Sequence, residues 1–597
     1  MKDMTNMKKY LEIVTNKWYK GSTRPFIEFV IDKIETFWDQ KNIFIVEAPT
    51  GYGKSTISAT IALYSLENEL KTIIVFPTRS LLEDQYSKFR RLIPRNILGK
   101  RYMLNPDSPY LLKPVTLTTI DTLSLQIFGI PPEDLDKVIK AGFWDGTLTR
   151  SIGHYMFSWG IYALSNLILD EVHLLADSTK SLNFLFVLIE NVINNNQKMI
   201  LMSATIPNAL QEIFVNNLSD YYLNKMIFLN FSKNKLINKV STFNYYDRMF
   251  ILQRLKKRYN IEVMSVQKYD KNDLIMNYIL SNIEKFSKIA VIFNTVLDAI
   301  SFYLYLSDHN VFRKFDGILL LHSRYNEEDR ELLAKKLSDI RHKESYLVIS
   351  TQVIEAGVDI SSNLFITEIA PANSLIQRLG RFLRYDENEG SICIWYEVDD
   401  EGNLLNWKGK YKVYDWLVTQ KTLEILLSIK NELNIHVPDS YSSESGYRYL
   451  LDQVYSPDDY NINLKEINEL SCILLNLEKS PLLAIRKFFE LEASFIREGI
   501  IIPVIPESKV NLEKISEREI FKKIVPLAYS TFKNMVNKEK IKGYIKTVNG
   551  KIFFEETNLK KELFSTRRFI EYIFRNNIIA FVTDTEYNKL LGLIFGG

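Results

Sequence analysis

Short apolar runs alternate with segments of helical period over the first 400 residues. The runs include NIFIVEAP, KTIIVFP, PVTLTT, NLILDE and KMILMSA and, after a polar stretch around residues 217–247, KIAVIFNT, GILLLHS, SYLVIST and LFITEIA. Continuous apolar runs of this length are typical of strands buried on both faces, as in parallel sheets covered by helices. The pattern therefore predicts an α/β fold with two consecutive α/β domains.

The pattern changes after residue 400, where long helical segments such as VYDWLVTQKTLEILLSIKNEL predominate. We predict a first domain with an N-terminal helical extension at residues 1–225, a second domain at 226–400 and a mainly helical C-terminal region at 401–597. An aromatic-rich segment, residues 129–166, interrupts the first series. Its aromatic side chains are more typical of a local core than of a platform on which bases stack.

Composition narrows the classes of function. The chain of 597 residues has 75 Lys and Arg against 72 Asp and Glu, so a nucleic-acid surface must be a local patch. Its two cysteines, Cys393 and Cys472, are too far apart for a CxxC zinc motif or a disulfide framework, which suits a reducing cytoplasm. The N-terminus is charged and no apolar run approaches the ~18 residues of a membrane helix. We expect a cytoplasmic protein without a membrane partner.

The stretch EAPTGYGKST, residues 47–56, follows an apolar run and precedes a helix-forming one. A loop that holds a triphosphate needs glycines for close approach, a helix N-terminus, a lysine for the outer phosphates and a hydroxyl for magnesium. Gly51, Gly53, Lys54 and Ser55 supply these in order, although Ala48 stands where the first glycine is usual. The alternative is a strand–helix turn with accidental glycines.

A pair of carboxylates ends a later apolar run in NLILDEVHLLAD. Magnesium on ATP needs a carboxylate at the end of a neighbouring strand, and hydrolysis needs another that positions or deprotonates water. Asp170 and Glu171 fit these needs, and His173 follows. Acids also favour helix N-termini, so capping is the alternative interpretation. The phosphate loop in the same domain favours the catalytic one.

These stretches resemble motifs of superfamily 2 nucleic-acid helicases of the DExH type. The phosphate loop resembles motif I, residues 170–173 motif II, residues 203–205 (SAT) motif III and QRLGRFLR, residues 377–384, motif VI. The resemblance covers roughly residues 20–400. It implies two tandem RecA-like domains that sandwich ATP and cross a nucleic-acid strand on another face.

The second domain resembles more narrowly the helicase of type I CRISPR interference, which loads on the displaced strand of an R-loop. The stretches are FNTV, LHSRYNEEDR, STQVIEAGVDIS and TEIAPANSLIQRLGRFLR. This resemblance implies single-stranded DNA and an RNA-guided effector complex as partners. Ile27 stands where such helicases often carry an adenine-reading glutamine, although Phe26 still offers a ring to a base. The six histidines form no His-Asp pair, so the chain resembles a stand-alone helicase subunit whose HD nuclease is a separate subunit.

The resemblance also implies roles for individual residues, with ATP and Mg²⁺ as cofactors. Ser55 and Asp170 would hold the metal, and Glu171 would position water together with Gln377. Arg381 and Arg384 would reach the transferring phosphoryl group. The remaining expected contacts are Thr50, Gly51, Gly53, Lys54, Thr56 and Asp359 with the nucleotide, Thr78, Arg79, Thr119, Asp121, Asn294, Thr295, Thr351 and Gln352 with the nucleic acid, and His173, Ser203 and Thr205 in coupling the two.

Two other functions remain open on the sequence. One is a different DExH motor, such as an RNA helicase or a repair translocase. The other is a nucleic-acid-binding scaffold with an inactive ATPase, against which the intact Lys54, Asp170, Glu171 and Arg381 argue.

Overall fold

A computed structural model describes most of the chain. The described residues are 6–102, 105, 107–134, 153–233, 235–267, 269–355, 357–402, 405, 413–477, 481–497, 500–509, 517–548, 551–557, 559 and 565–595. Part of the aromatic-rich segment, including Phe143 and Trp144, lies outside them. Within the described ranges, every helix is too short or too polar to cross a bilayer.

Eight parallel strands form the first sheet, as the continuous apolar runs predicted. The strands are β1 (Ile43–Glu47), β2 (Lys71–Phe76), β3 (Leu98–Arg101), β4 (Val115–Thr119), β5 (Ser165–Leu169), β6 (Met199–Ser203), β7 (Met226–Phe231) and β8 (Ser241–Tyr245). Their order across the sheet is β3-β4-β2-β5-β6-β1-β7-β8. In β1 and β4–β7, side chains on both faces of the sheet are buried, because helices cover both faces.

Ten helices accompany this sheet in the described sequence. They are α1 (Met7–Tyr19), α2 (Pro25–Phe37), α3 (Lys54–Glu67), α4 (Arg79–Phe89), α5 (Ile120–Ile127), α6 (Gly153–Ala163), α7 (Thr179–Asn194), α8 (Asn208–Asn217), α9 (Asp220–Leu223) and α10 (Arg248–Leu255). Local sequence sets several starts: Pro25 is the first residue of α2, and the Thr78, Thr119 and Ser178 hydroxyls cap α4, α5 and α7.

Six parallel strands form the second sheet, in the order β11-β12-β10-β13-β14-β9. Its core includes the fully buried side chains of Phe293, Ile366 and Trp395. The strands are β9 (Arg258–Gln267), β10 (Lys288–Ile292), β11 (Gly317–Leu321), β12 (Tyr346–Ser350), β13 (Leu364–Glu368) and β14 (Glu389–Val398), with helices α11 (Lys271–Asn282), α12 (Val296–Asp308), α13 (Glu327–Ile340) and α14 (Ala372–Leu379). The prediction of two tandem RecA-like domains is confirmed.

The region after residue 400 contains more helix than strand, as predicted. Its helices are α15 (Trp416–Ile429), α16 (Tyr447–Val454), α17 (Leu464–Leu475), α18 (Pro481–Glu490), α19 (Glu517–Lys523), α20 (Tyr529–Asn537) and α21 (Thr566–Arg575). Its strands are β15 (Leu433–Asn434), β16 (Ser445–Gly446), β17 (Ile501–Pro506), β18 (Val525–Ala528), β19 (Ile541–Val548), β20 (Lys551–Glu556), β21 (Ile578–Thr583), β22 (Tyr587–Asn588) and β23 (Gly592–Leu593).

Five of these strands form a sheet that the sequence had not predicted, in the order β18-β17-β21-β19-β20. β19 keeps its ends partly exposed and β20 is exposed along nearly its whole length. Strands of this kind lack the continuous apolar run that reveals a strand buried on both faces, because water covers one of their sides.

The chain folds as two compact units whose boundaries differ from the predicted ones. The first unit combines residues up to Arg254 with residues 434–498, and the second combines residues 255–433 with residues 499–597. The first sheet extends past the predicted boundary at residue 225, because β7 pairs with β1 and β8 with β7. The predicted C-terminal region, residues 401–597, is shared between both units.

Side-chain contacts explain why residues 434–498 belong to the first unit. Helix α17 packs on α7, where Asn183 Nδ2 donates to Glu466 Oε1 at 2.9 Å. The Ser471 hydroxyl donates to Glu190 Oε2 at 2.9 Å. We call residues 434–497 the returning segment, since it follows the second sheet in sequence and packs with the first in space.

In the second unit, the last hairpin, formed by β22 and β23, packs on the loop after β11. His322 of that loop makes this contact. The His322 imidazole is buried and stacks on the Tyr325 ring with centroids 4.3 Å apart. Its Nδ1 accepts the Arg324 N–H at 3.1 Å, so its Nε2 carries the proton donated to the Leu591 carbonyl at 3.1 Å. Burial, reinforced by the positive charges of Arg324 and Arg330, lowers the pKa of His322 to about 3.

We expect this hairpin to open more readily in acid. The imidazole binds a proton below pH ~6.5 when exposed but resists it when buried, so stability is complete above ~6.5 and lost as pH falls towards 3. Hydrogen exchange of residues 587–595, corrected for the intrinsic pH effect, should show opening rising roughly tenfold per pH unit below ~6. His322→Gln should remove that dependence, whereas His309→Gln, at an exposed histidine, should keep it. An unchanged pH slope in His322→Gln would assign the effect to another group.

Candidate active site and nucleic-acid interface

The phosphate loop lies between the end of β1 and the start of α3. Gly51 and Gly53 have φ of 72° and 103°, in the left-handed region that glycine adopts at little cost. Gly53 caps α3, so Lys54 and Ser55 open the helix and Thr56 occupies its buried first turn. Backbone N–H groups at such a helix start form an anion site. Thr50, Gly51, Gly53, Lys54, Ser55 and Thr56 are thus together, as the sequence predicted.

The carboxylate pair follows β5 and meets the lysine of the loop. Lys54 Nζ lies 3.3 Å from Glu171 Oε1, and both side chains are largely buried. The Glu171 N–H donates to Asp170 Oδ1 at 3.0 Å. Burial, followed by the negative charge of Glu171, raises the pKa of Asp170 to about 7, against the opposing charge of Lys54. Two carboxylates therefore share one ammonium group in a buried pocket.

His173 connects these carboxylates to β6. Its Nδ1 lies 2.9 Å from the Ser203 hydroxyl and 3.5 Å from Glu171 Oε2. Ser203 Oγ also accepts the Thr205 N–H at 3.1 Å, and the Ser203 carbonyl accepts the Ala48 N–H of the phosphate loop at 3.0 Å. Burial lowers the pKa of His173 to about 4, so the ring is neutral at physiological pH. The predicted coupling residues His173, Ser203 and Thr205 thus form one network.

A buried ion cluster beneath the loop had escaped the sequence reasoning. Glu47, the last residue of β1, is 2% exposed and accepts Lys235 Nζ at 2.8 Å and Arg448 Nη2 at 3.2 Å. Although burial acts to raise it, the charges of Arg448 and Lys235 hold the pKa of Glu47 below its usual value. The one sequence signal for this cluster was the position of Glu47, an acidic residue that ends an apolar run directly before the phosphate loop.

Upstream, Arg24 and an aromatic cluster support the loop from outside. The Arg24 guanidinium donates to the Gly51 carbonyl and lies 5.1 Å from the centre of the Tyr52 ring. Tyr52 donates its hydroxyl proton to Asp247 Oδ2 at 2.6 Å. Phe26 packs edge-on against Tyr52 and is fully buried, so its ring is core here and does not face a base as the sequence had allowed.

Four predicted nucleic-acid contacts of the first unit meet at one edge of the sheet. β2 pairs with β4 so that Phe76 lies beside Thr119, which brings the starts of α4 and α5 together. Thr78 and Thr119 cap those helices, and the Arg79 guanidinium lies over the Tyr102 ring. Asp121 accepts Arg497 Nε and Nη2 at 2.6 and 2.7 Å.

The four predicted nucleic-acid contacts of the second unit also lie at one edge of its sheet. Their side chains are mainly engaged in bonds within the protein. Ile292 of β10 lies beside Ser350 of β12, so residues 294–295 and 351–352 follow neighbouring strand ends. Asn294 is buried, its side chain bonding the Ile369 carbonyl and Arg378, and its own carbonyl accepts Gln352 Nε2. Thr295 caps α12 and Thr351 is 1% exposed.

The arginines of QRLGRFLR differ in their surroundings. Arg381 donates to the carbonyls of Ile354 and Glu355, each at 3.1 Å. Arg384 Nε lies 3.3 Å from Asp359 Oδ1, and Arg341 Nη1 lies 3.0 Å from the other oxygen of that carboxylate.

Helix α14, which precedes these two arginines, buries the predicted Gln377 and a second residue that the sequence reasoning had overlooked. Gln377 is 3% exposed on α14. Arg378, which follows it, is fully buried and donates to Glu355, Thr367, Asn294 and Tyr414. Its position next to Gln377 was the available signal.

Helicases of superfamily 2 combine two tandem parallel α/β sheets with a phosphate loop, an Asp-Glu-Val-His stretch and a two-arginine stretch, and this chain has these features in that order. Residues 30–213 match the family model described as DEAD/DEAH box helicase, and residues 285–387 match the one described as CRISPR-associated nuclease/helicase Cas3, C-terminal. The chain is thus similar to CRISPR-associated helicases of this superfamily.

Relatives and solved structures agree with this placement. A putative CRISPR-associated nuclease/helicase Cas3 of Methanocaldococcus jannaschii is 25% identical over 73% of this chain and 56% of its own length. The Methanothermobacter thermautotrophicus Cas3 is 23% identical over 86% of this chain and 59% of its own. This chain thus spans a little over half the length of these relatives. The T. fusca Cas3–ADP structure has a TM-score of 0.64, with 16% identity over 98% of this chain and 71% of that one.

Proposed function

We propose that the chain is an ATP-driven motor that moves along the single-stranded DNA displaced by an RNA-guided complex, with DNA cleavage supplied by a separate HD nuclease subunit. The observation that carries the proposal is the buried contact of Lys54 with Glu171, next to Asp170 and a glycine loop with left-handed backbone. Such a pocket suits phosphoryl transfer to water.

The donor set beside the loop fits Mg²⁺. Asp170 and Glu171 offer carboxylate oxygens, the ligand type that Mg²⁺ prefers, and Ser55, in the first turn of α3, adds a hydroxyl. Asp170 and Ser55 would hold the metal, which would neutralise charge on the phosphates. Lys54 and the loop N–H groups would bind the outer phosphates, and Glu171 would orient water.

Arg381 and Arg384 would contact the transferring phosphoryl group, with Gln377 helping to orient the water. An arginine that reaches the transferring phosphoryl group contributes ~10³–10⁵ in rate in well-studied NTPases. Each guanidinium is already oriented, Arg381 by two carbonyls and Arg384 by Asp359, which reduces the entropy lost on engagement. Asp359 would then act on the nucleotide through Arg384.

The nucleic-acid track would follow the two strand edges described above. Thr78, Arg79, Thr119 and the α4 and α5 N-termini offer N–H, hydroxyl and guanidinium donors to a backbone, without reading base sequence. His173, Ser203 and the Ala48 N–H link the ATP pocket to β6. Nucleotide turnover could therefore alter the conformation of the first unit at this strand.

The partners follow from what similar proteins are named for. A structure entitled CRISPR RNA-guided surveillance complex, pre-nicking, contains a chain matching 96% of this one with a TM-score of 0.57. An effector complex that opens DNA is therefore the partner that we propose.

The test is ATP hydrolysis with and without nucleic acid. We expect single-stranded DNA to stimulate turnover more than single-stranded RNA of equal length, and Arg381→Ala to remove most of the stimulated rate. In parallel, a labelled strand should be displaced from a partial duplex and, on a denaturing gel with Mg²⁺, Mn²⁺ or Ni²⁺, remain uncut. Equal or greater stimulation by RNA would favour an RNA helicase. Cleavage that copurifies with the chain would refute the separate nuclease.

A further inference from the structure

Arg497, at the end of the returning segment, reaches the proposed nucleic-acid edge of the first unit. Its Nε and Nη2 donate to the two carboxylate oxygens of Asp121 at 2.6 and 2.7 Å. Nη2 also lies 3.4 Å from the carbonyl oxygen of Pro77, the residue before the α4 cap. An arginine from the far end of the chain therefore contacts the starts of both α4 and α5.

Asp121 alone is a poor neighbour for a phosphate. Its carboxylate would repel the backbone of a nucleic acid, although its place in the motif order predicted a contact with one. The bidentate bond to Arg497 neutralises that charge, and charge-assisted pairs of this geometry are among the stronger hydrogen bonds in proteins. The pair thus turns an acidic position into one that presents a guanidinium group.

The guanidinium is held in place and still open to solvent. The Arg497 side chain is 44% exposed and that of Asp121 is 30% exposed. Lys180 Nζ donates to the Leu491 carbonyl at 2.7 Å, and Phe495 stacks on Phe128 with ring centroids 4.1 Å apart. Within the described part of the chain, Arg497 Nη1 donates to no protein acceptor. The guanidinium therefore has donors left for an external ligand.

We propose that Arg497 binds a backbone phosphate of the single strand, with Asp121 as the residue that positions it. The inference rests on the proposed function and deepens it by adding a ligand from outside the helicase motifs. Nη1 keeps its N–H donors for phosphate oxygens, and the adjoining N-termini of α4 and α5 add positive potential. The returning segment would therefore supply one point of the DNA track.

The salt dependence of binding tests this contact. For single strands, each phosphate contact contributes ~0.7 to the slope of log affinity against log salt concentration. We expect Arg497→Ala to lower that slope by about 0.7 for a labelled oligo-dT 20-mer and to weaken binding several-fold at low salt. Lys465→Ala is the matched control, since it removes one positive charge from the same segment at a side chain that is 87% exposed. Its slope should equal that of the wild type.

Further variants separate a phosphate ligand from a structural contact. Arg497→Gln keeps neutral hydrogen bonding to Asp121 and should lower the slope as Arg497→Ala does, even if the alanine variant folds poorly. Asp121→Asn keeps the arginine charge and should keep at least the wild-type slope, because the cation that contacts the phosphate is still present. If both Arg497 variants melt earlier and keep the wild-type slope, Arg497 only anchors the segment and the inference is refuted. A wild-type chain that binds no oligo-dT would refute the proposed function as well.

Discussion

Replacing Glu171 with glutamine will lower kcat for ATP hydrolysis by about 10²- to 10⁴-fold while ATP binding stays within a few-fold of the wild type. Glutamine keeps the size of the side chain and one oxygen towards Lys54, whose Nζ lies 3.3 Å from Glu171 Oε1. It cannot accept a proton from water. Single-turnover hydrolysis and titration with a fluorescent ATP analogue measure the two quantities separately.

Glu212→Gln is the matched control, since it makes the same chemical change on an exposed part of α8 and should leave both quantities unchanged. Because the variant holds ATP without hydrolysing it, we also expect its complex with single-stranded DNA to last longer. If ATP affinity falls as far as turnover does, Glu171 contributes to binding the ground state, and the assignment of the water-positioning role is wrong.

Replacing Arg448 with methionine will destabilise the first unit by about 3–5 kcal/mol, the usual cost of removing one partner of a buried ion pair. Arg448 bonds Glu47, Asp439 and the Phe231 carbonyl from a side chain that is 9% exposed. Methionine fills similar space but leaves the Glu47 carboxylate with Lys235 alone. Hydrogen exchange of the β1 amides, measured at increasing urea concentration, reports the unfolding free energy of the first unit alone.

Lys465→Met, on the exposed face of α17, should change the free energy of unfolding of the first unit by less than about 0.5 kcal/mol. Adding Glu47→Gln to Arg448→Met should recover part of the loss, because it removes the charge that was left buried. No recovery in the double variant would mean that Arg448 stabilises by packing and its bond to Phe231, and that the ion pair contributes little.

Features local in sequence were predictable and those joining distant residues were not. The apolar runs of β1, β5 and β6 revealed buried parallel strands, and the loop glycines and Asp170–Glu171 followed from the spacing of their motifs. Arg448 lies 401 residues from Glu47, and Arg497 lies 376 residues from Asp121. No periodicity links such pairs, because a salt bridge needs only one side chain at each end.

Burial also concealed what the motif residues do. Asn294 and Thr351 had been assigned to nucleic acid from their place in the motif order, yet both are almost fully buried. Their strand-end positions were predictable, since parallel neighbours end at the same edge of the sheet. The bonds that Asn294 makes with Gln352 and Arg378 depend on packing that a single sequence does not contain.

The returning segment also has a consequence for synthesis on the ribosome. Glu47 leaves the exit tunnel 401 residues before Arg448. At ~5–20 residues per second that interval lasts roughly 20–80 seconds. During it, the nascent first sheet holds a carboxylate in its interior with Lys235 as its only basic partner of the described cluster, while a whole second sheet is being made. The first unit is therefore completed only after the second sheet has been translated, and a nascent chain stalled before Arg448 should be unusually sensitive to proteases.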